Sequence, residues 1–261
     1  MEDKKNNTRY IVIAGIAVAG VVALWILFDT DRNISTLFSG LAFAGIIFTV
    51  LLQKEELGLQ RKEIRETRRE FEQQNATMKL QRFENTFFNL LSLLQKIVDG
   101  IDIDEQRQKN QGWMSGVKAP EYETITFKGR DVFRKRYSIL SERLGKAENV
   151  LTINQIYLDY YDSIKTDFGH YFKTVYRIVK LVDEAELDFD EKYKYVAILR
   201  AQLSDYELLW LFYNGLCEYG QKFKPLIEKY SVLNNMPAHE IHNEALLEQY
   251  AESAFENKNK L

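Results

Sequence analysis

The polar residues best placed to do chemistry lie between residues 200 and 214, on a stretch that is otherwise apolar. They are Arg200, Ser204, Glu207 and Asn214. With the apolar Leu211 counted between the last two, each follows the one before it by three or four residues. Such steps predict one stripe along a helix. Arg200 and Glu207 would then stand two turns apart, about 10.5 Å along the axis, within reach of a common ligand or of partners on neighbouring helices.

A histidine and a second arginine precede this stripe. His170 and Arg177 are seven residues apart, which predicts that they share one face of a helix. Histidine titrates near neutral pH and can act as a general acid or base, while arginine holds phosphate. One hypothesis is therefore a nuclease-like site assembled across helices, with the catalytic candidates His170, Arg177, Arg200 and Glu207.

Two other interpretations of these residues stay open. They can form a buried polar network that fixes helix register, with each group hydrogen-bonded. Alternatively, Ser204 and Asn214 can line a pocket that senses a ligand or partner. Some helical ribonucleases place an arginine four to six residues before the catalytic histidine, and no arginine lies there before His170. A non-catalytic role is therefore the main expectation.

Arg130 and Arg134 begin a basic cluster that includes Lys128, Lys135 and Arg136. Such a cluster can bind nucleic acid, acidic lipid or a protein partner, or simply form a solvated face. The net charge of −3, from 35 basic and 38 acidic residues, gives no whole-chain signature of nucleic-acid binding. Nucleic acid is thus a partner without further support.

The sequence does not predict a metal or a cofactor. His239 and His242 have a spacing that can share a metal ion, but no cysteine or third histidine lies near them. The phosphate-binding loop, the nucleophile elbow and the dinucleotide fingerprint are all missing. The one cysteine, Cys217, excludes an intrachain disulfide and fits a reducing compartment.

The N-terminal region predicts a transmembrane hairpin. Residues 10–28 and 34–52 are two uncharged apolar stretches of 19 residues, joined by the polar turn 29–33. A helix of that length is about 28 Å long, close to the roughly 30 Å hydrocarbon core of a bilayer. The alternative is a buried hairpin of a soluble helical protein. Basic residues flank the pair on both outer sides, which predicts a two-pass protein with both termini in the cytoplasm.

The rest of the chain predicts a helical stalk and a helical domain. The expected organisation is a cytoplasmic N-terminus at 1–9, the hairpin at 10–52, a stalk at 53–82 and a cytosolic all-α domain at 83–261. Leu57, Ile64, Phe71 and Met78 recur every seven residues, which suggests a short parallel coiled coil and a homo-oligomer through stalk and hairpin. The second seam position is only partly apolar, so this association stays open.

Within the domain, helices are expected after residue 81 to about Gly100, then at 131–144, 152–168, 170–182, 190–204, 205–219, 223–230 and 239–256. A break or kink is expected between the two helices that meet at 204–205. Residues 100–126 are expected to form a long connection, in which 123–127 is the one candidate strand. The expected fold class is therefore all-α.

Five segments, taken in order after an apolar hairpin, resemble the phage abortive infection family of the AbiC type. They are FENTFFNLL at 83–91, FKGRDVF at 127–133, GHYFKTVYR at 169–177, RAQLSDYE with FYNG at 200–215, and FKPLIEKY at 223–230. The resemblance implies antiviral defence at a bacterial inner membrane, triggered by a phage or host component. It supplies no catalytic residues. Besides the ribonuclease-like enzyme, a non-catalytic scaffold for a separate effector is an alternative.

Overall fold

The computed structural model describes residues 2–28, 34–108, 122–145, 147 and 149–256. The expected turn at 29–33 lies outside the described residues, as do residues 109–121 of the expected connection. The chain divides into two compact units, residues 1–79 and residues 80–261. Each unit is described separately below.

The first unit consists of α1, Glu2–Phe28, and the first part of α2, Ile34–Gly100. One 18-residue window of α2 is apolar enough to cross a membrane, with a mean hydropathy of 2.1 and none of it buried. The apolar part of α1 among the described residues, Val12–Leu27, is shorter. Gly40 lets α2 approach α1, because a Cβ atom there would lie 2.8 Å from Cγ1 of Val21.

The helix α2 continues without interruption through the predicted stalk and ends at Gly100, as expected. Its stalk residues between 56 and 80 are exposed. Only its last turns, in the second unit, carry buried residues: Phe87, Leu91, Leu94 and Val98. The seven-residue apolar stripe is therefore uncovered, whereas the apolar face after residue 83 enters a core.

The second unit is mostly helical, but two strands within residues 100–128 form a small antiparallel sheet where a connection was expected. Strand β1, Asp102–Gln108, pairs antiparallel with β2, Tyr122–Lys128, in a register that places Asp102 opposite Lys128. Thr126 donates a 2.6 Å cross-strand hydrogen bond to Asp104. The one strand candidate, 123–127, lies within β2. The sequence of β1 is too polar to show a strand pattern, since most of its side chains are exposed.

Helix α4, Val150–Glu184, is the centre of the second unit. Two helices were expected here, at 152–168 and 170–182, and that division is wrong. Gly169 is buried inside one continuous helix, where a Cβ atom would lie 3.8 Å from the Tyr161 hydroxyl. The N-cap is Asn149, whose side chain accepts a 3.0 Å hydrogen bond from the Thr152 amide.

The other α-helices pack around α4 close to their expected bounds. They are α3, Arg130–Leu144; α5, Phe189–Arg200; α6, Asp205–Leu216; and α7, Lys224–Lys229. The core is aromatic: Trp210 of α6 is fully buried, lies 5.4 Å from the Phe168 ring, and donates a 3.1 Å hydrogen bond to the Phe133 carbonyl. The expected break between α5 and α6 is confirmed.

The C-terminal segment is not the expected α-helix at 239–256. It forms three short 3-10 turns, Ala238–Glu240, Glu244–Gln249 and Glu252–Ala254. Tertiary hydrogen bonds hold it instead, since the Tyr250 hydroxyl donates to the Phe212 carbonyl at 2.9 Å and the Leu233 amide donates to the Ala254 carbonyl at 3.1 Å. Four side chains of this segment are buried in the core: Ile241, Leu246, Tyr250 and Ala254.

Candidate functional site

A cluster of polar side chains in the second unit lies at the N-terminus of α6. Ser204 is the N-cap and Glu207 completes a reciprocal capping box. One carboxylate oxygen of Glu207 accepts from the Ser204 amide at 2.9 Å and from its hydroxyl at 2.6 Å. An N3 glutamate is normally solvated, whereas Glu207 is 1% exposed. Its negative charge therefore needs a partner beyond the cap.

Arg130, the first residue of α3, supplies that partner. Its Nε lies 3.4 Å from the Glu207 carboxylate. Its Nη2 donates to the Gln202 carbonyl at 2.7 Å and to the Gln95 side-chain oxygen at 3.5 Å. The Arg130 side chain is 48% exposed while the carboxylate is enclosed. The ion pair thus has one buried end and one end that solvent reaches.

Tyr171 of α4 closes the arrangement from the core side. It is fully buried, and its hydroxyl makes no hydrogen bond of good geometry among the described residues. Burial raises the pKa of Tyr171 well above its usual value, and the nearby Glu207 carboxylate raises it further. Tyr171 is consequently a neutral phenol at physiological pH, beside a buried carboxylate.

These contacts join four helices at one point: the end of α2 through Gln95, the start of α3 through Arg130, the middle of α4 through Tyr171, and the start of α6 through Glu207. Chemically, the arrangement is a buried carboxylate with an accessible counter-cation. A dissolved substrate cannot touch a carboxylate that is 1% exposed, but an anionic group can reach Arg130.

The predicted stripe from Arg200 to Asn214 is interrupted. Arg200 is the last residue of α5, and Ser204 is the cap of the next helix, so the two do not follow one helical face. Arg200 instead donates a 2.8 Å hydrogen bond to the Ser231 carbonyl and stacks 5.0 Å from the centre of the Tyr193 ring. This bond supports Ser231 in a left-handed conformation, φ 50°, that non-glycine residues rarely adopt.

Asn214 lies in the last turn of α6 and is 4% exposed. Its carbonyl accepts from the Cys217 amide at 3.2 Å and from the Cys217 thiol at 3.0 Å. A Cβ atom at Gly220 would overlap that carbonyl, so the chain can turn here only because residue 220 is glycine. The side-chain nitrogen of Asn214 is buried without a hydrogen-bond acceptor among the described residues.

The structure does not bring the remaining predicted residues to Glu207. His170 and Arg177 are both exposed on α4. Neighbouring residues of a helix point about 100° apart, so Tyr171 faces the core and His170 does not. Arg134 is exposed on α3. The His239 side chain is 82% exposed, and its Nε2 lies 4.0 Å from the Glu240 carboxylate.

A second ion-pair cluster has no signal in the sequence. The Asp183 carboxylate, near the end of α4, accepts from the Lys229 ammonium at 2.6 Å and from the Tyr230 hydroxyl at 2.7 Å. Burial alone would raise the pKa of Asp183, but the hydrogen bonds from Lys229 and Tyr230 lower it below its usual value. Asp183 is separated from Lys229 and Tyr230 by 46 and 47 residues, and no local pattern links them.

Within the described residues, no group of three or more His, Cys, Asp or Glu side chains is placed to hold a metal ion. No curated protein and no solved structure is significantly similar to this chain. A family model described as "Putative phage abortive infection protein" matches residues 163–241, which include Tyr171, Arg200, Ser204 and Glu207. The resemblance drawn from the sequence is therefore confirmed: residues 163–241 are similar to phage abortive infection proteins.

Proposed function

We propose that this chain is a membrane-anchored phage-defence protein. Its second unit would sense a phage or host component without catalysing a reaction itself. The proposed role in defence rests on the family match at residues 163–241. The enclosure of Glu207 supports sensing over catalysis, because its carboxylate is already held by Ser204 and Arg130.

The surface of the first unit supports the anchoring. Large apolar side chains on both helices are more than 60% exposed, among them Ile16, Leu27, Phe38 and Phe43. Exposed apolar surface of this extent marks a protein or membrane contact. Because basic residues flank both outer ends, the protein would cross the inner membrane twice with both termini in the cytoplasm.

The Arg130–Glu207 pair offers a mechanism for sensing. A trigger that presents an anionic group to the accessible Arg130 guanidinium would compete with Glu207 for it. Glu207 would then remain buried beside Tyr171 with less compensation of its charge, which is unfavourable. The junction of α2, α3 and α6 would loosen, and α2 is the helix that continues into the first unit.

A deletion and a matched pair of substitutions test this proposal by phage plaquing. Deleting residues 1–52 should abolish protection while leaving the protein detectable. Arg130→Ala leaves Glu207 without its partner, as the trigger would, so it should slow the growth of uninfected cells and remove phage-dependent protection. Arg134→Ala, an exposed arginine on the same helix, should protect normally. Full protection by the deletion variant would contradict anchoring, and full protection by Arg130→Ala would contradict the sensing mechanism.

The ribonuclease-like alternative uses different residues. His170 and Arg177 are exposed on one helix, where a nucleic acid could reach them. His170→Ala should leave protection intact under the sensing proposal and abolish it under the enzymatic one, at equal protein level. If neither substitution on α4 nor the Arg130 change matters, a scaffold for a separate effector is the remaining interpretation.

A membrane-potential dye, added before and during infection, reports what the anchor does. Depolarisation only on infection is expected if the apolar helices act on the membrane. Protection with an intact potential would assign the action to the helical unit instead.

A further inference from the structure

We propose that residues 56–78 of α2 pair with the same residues of a second copy of this chain, as a parallel, in-register, two-stranded coiled coil. The juxtaposition that carries it is an exposed apolar stripe with glutamates on one side and arginines on the other. The seven-residue stripe alone would leave the partner and its direction open.

The apolar stripe lies uncovered on an otherwise polar helix. Its side chains are between 47% and 66% exposed: Leu57, Ile64, Phe71 and Met78. Successive members lie about 10.5 Å apart along the axis, so the stripe extends over about 31 Å. Residues every seventh position form the seam of a coiled coil, with the stripe at the positions termed a.

The charges beside the stripe determine the direction of pairing. The position before each apolar residue, termed g, carries a glutamate in three successive heptads: Glu56, Glu63 and Glu70. The position four residues after, termed e, carries Arg61 and Arg68 in the first two. In a parallel pair each g residue meets the e residue five positions later on the other chain. Glu56 therefore meets Arg61 of the second copy, and Glu63 meets Arg68.

An antiparallel pair would reverse these interactions. It places g opposite g and e opposite e, so glutamates would face glutamates and arginines would face arginines. The charges therefore attract each other in a parallel pair and repel each other in an antiparallel pair, so the parallel arrangement is favoured. All of these charged side chains are exposed and can reach across a helix pair. A second copy of the chain supplies the complementary charges. Arg68 would exchange its exposed 3.3 Å pair with Glu72 of the same helix for Glu63 of the second copy.

Counted in strict heptads from Leu57, the second seam position, termed d, is Gln60, Thr67 and Gln74. Apart from the methyl group of Thr67, this position is polar. Polar seam residues fix register but weaken association. The pairing should therefore depend on a high local concentration, which confinement to one membrane provides, together with a common orientation. This last step alone rests on the proposed anchoring.

Single cysteines introduced into the full-length chain test the arrangement by disulfide formation in membranes. Leu57→Cys, Ile64→Cys and Met78→Cys should each give a disulfide-linked dimer on mild oxidation. Lys62→Cys, on the opposite face, should give no more than the unchanged chain, whose Cys217 is buried. In an antiparallel pair each a position faces a d position of the other chain. A mixture of the Leu57→Cys and Gln74→Cys chains would then link to each other and neither to itself, which would overturn the proposal. So would equal yields at positions 62 and 64.

A charge exchange tests the specificity. Glu63→Lys and Arg68→Glu should each reduce the dimer yield of the Ile64→Cys chain, by about ten-fold in association constant, since two symmetric contacts become repulsive. The double exchange should restore it. Glu66→Lys, away from the seam, is the matched control. Single exchanges without effect, or a double exchange that does not restore pairing, would overturn the proposal.

The two proposals can fail separately. Fractionation reports whether the chain is in the membrane, and the disulfide yield is measured in whichever fraction contains it. A chain that is in the membrane but does not cross-link at 57, 64 and 78 overturns the coiled coil and leaves the anchoring intact. A soluble chain that does cross-link refutes the anchoring and supports the coiled coil.

Discussion

Replacing Arg130 with alanine should destabilise the second unit through the buried Glu207 carboxylate. Removing one partner of a fully buried ion pair costs about 3–5 kcal/mol. Three features reduce that cost here: the arginine is 48% exposed, the 3.4 Å contact is long for a charged pair, and Ser204 keeps both of its hydrogen bonds to the carboxylate. The Gln202 carbonyl, which also loses a donor, belongs to an exposed residue. We therefore expect a loss of about 1–2 kcal/mol.

Thermal unfolding of the full-length protein in detergent measures this loss. A change of 1 kcal/mol shifts Tm by about 2–4 °C for a domain of this size, so Arg130→Ala should lower Tm by about 2–8 °C. Arg134→Ala, which removes an exposed arginine from the same helix, should change the free energy of unfolding by less than about 0.5 kcal/mol.

A double-mutant cycle separates the ion pair from general damage. Glu207→Gln keeps an oxygen for the Ser204 cap, because glutamine also completes a capping box, but removes the charge. Combined with Arg130→Ala it should cost about 1 kcal/mol less than the sum of the single changes. Additive losses, within about 0.3–0.5 kcal/mol, would show that the two residues do not interact and would refute the reasoning.

Three further changes have expected outcomes. Gly220→Ala should prevent folding of the second unit, measured by limited proteolysis of the whole chain, because the new Cβ overlaps the Asn214 carbonyl. Gly100→Ala is the control, since a Cβ atom there has no neighbour within 4 Å. Asp183→Asn should remove part of the stability that is present above about pH 4 and lost on acidification, since the lowered pKa stabilises the folded state only while the carboxylate is ionised. The measurement is the free energy of unfolding as a function of pH, and an identical decrease below about pH 4 in the variant and the unchanged protein would contradict this. Trp210→Phe should cost about 2 kcal/mol by urea unfolding, since it deletes buried volume and leaves the Phe133 carbonyl without its 3.1 Å donor. A cost near zero would show that the site repacks.

Local signals in the sequence predicted the helices well. The apolar periodicity gave α3, α5, α6 and α7 to within a few residues. The break before Asp205 was predictable because Ser204 and Glu207 have capping-box spacing. Gly169 predicted a break that does not occur, since packing of α4 on both sides outweighs the modest helix penalty of one glycine. The 3-10 turns after Pro237 could not be predicted from local periodicity, because tertiary hydrogen bonds such as that from Tyr250 to Phe212 hold this segment in place of helical ones.

The candidate site was predicted as parts without their arrangement. Arg130 and Glu207 were both named, but in separate groups, because nothing local links the start of α3 to the start of α6. Arg200 was grouped with Glu207 on helical spacing alone, and the helix ends between them. Pairing between distant residues is a property of the tertiary fold, and a single sequence carries no record of it.

The C-terminal segment has a consequence for biosynthesis. The segment matched by the family ends at residue 241, yet Leu246, Tyr250 and Ala254 complete the core and the Tyr250 hydroxyl holds α6. A fragment that ends at residue 241 would therefore lack these core side chains and expose the residues that pack against them. During translation α1 and α2 emerge before this segment does. The second unit therefore cannot complete its core until this segment has also been synthesised.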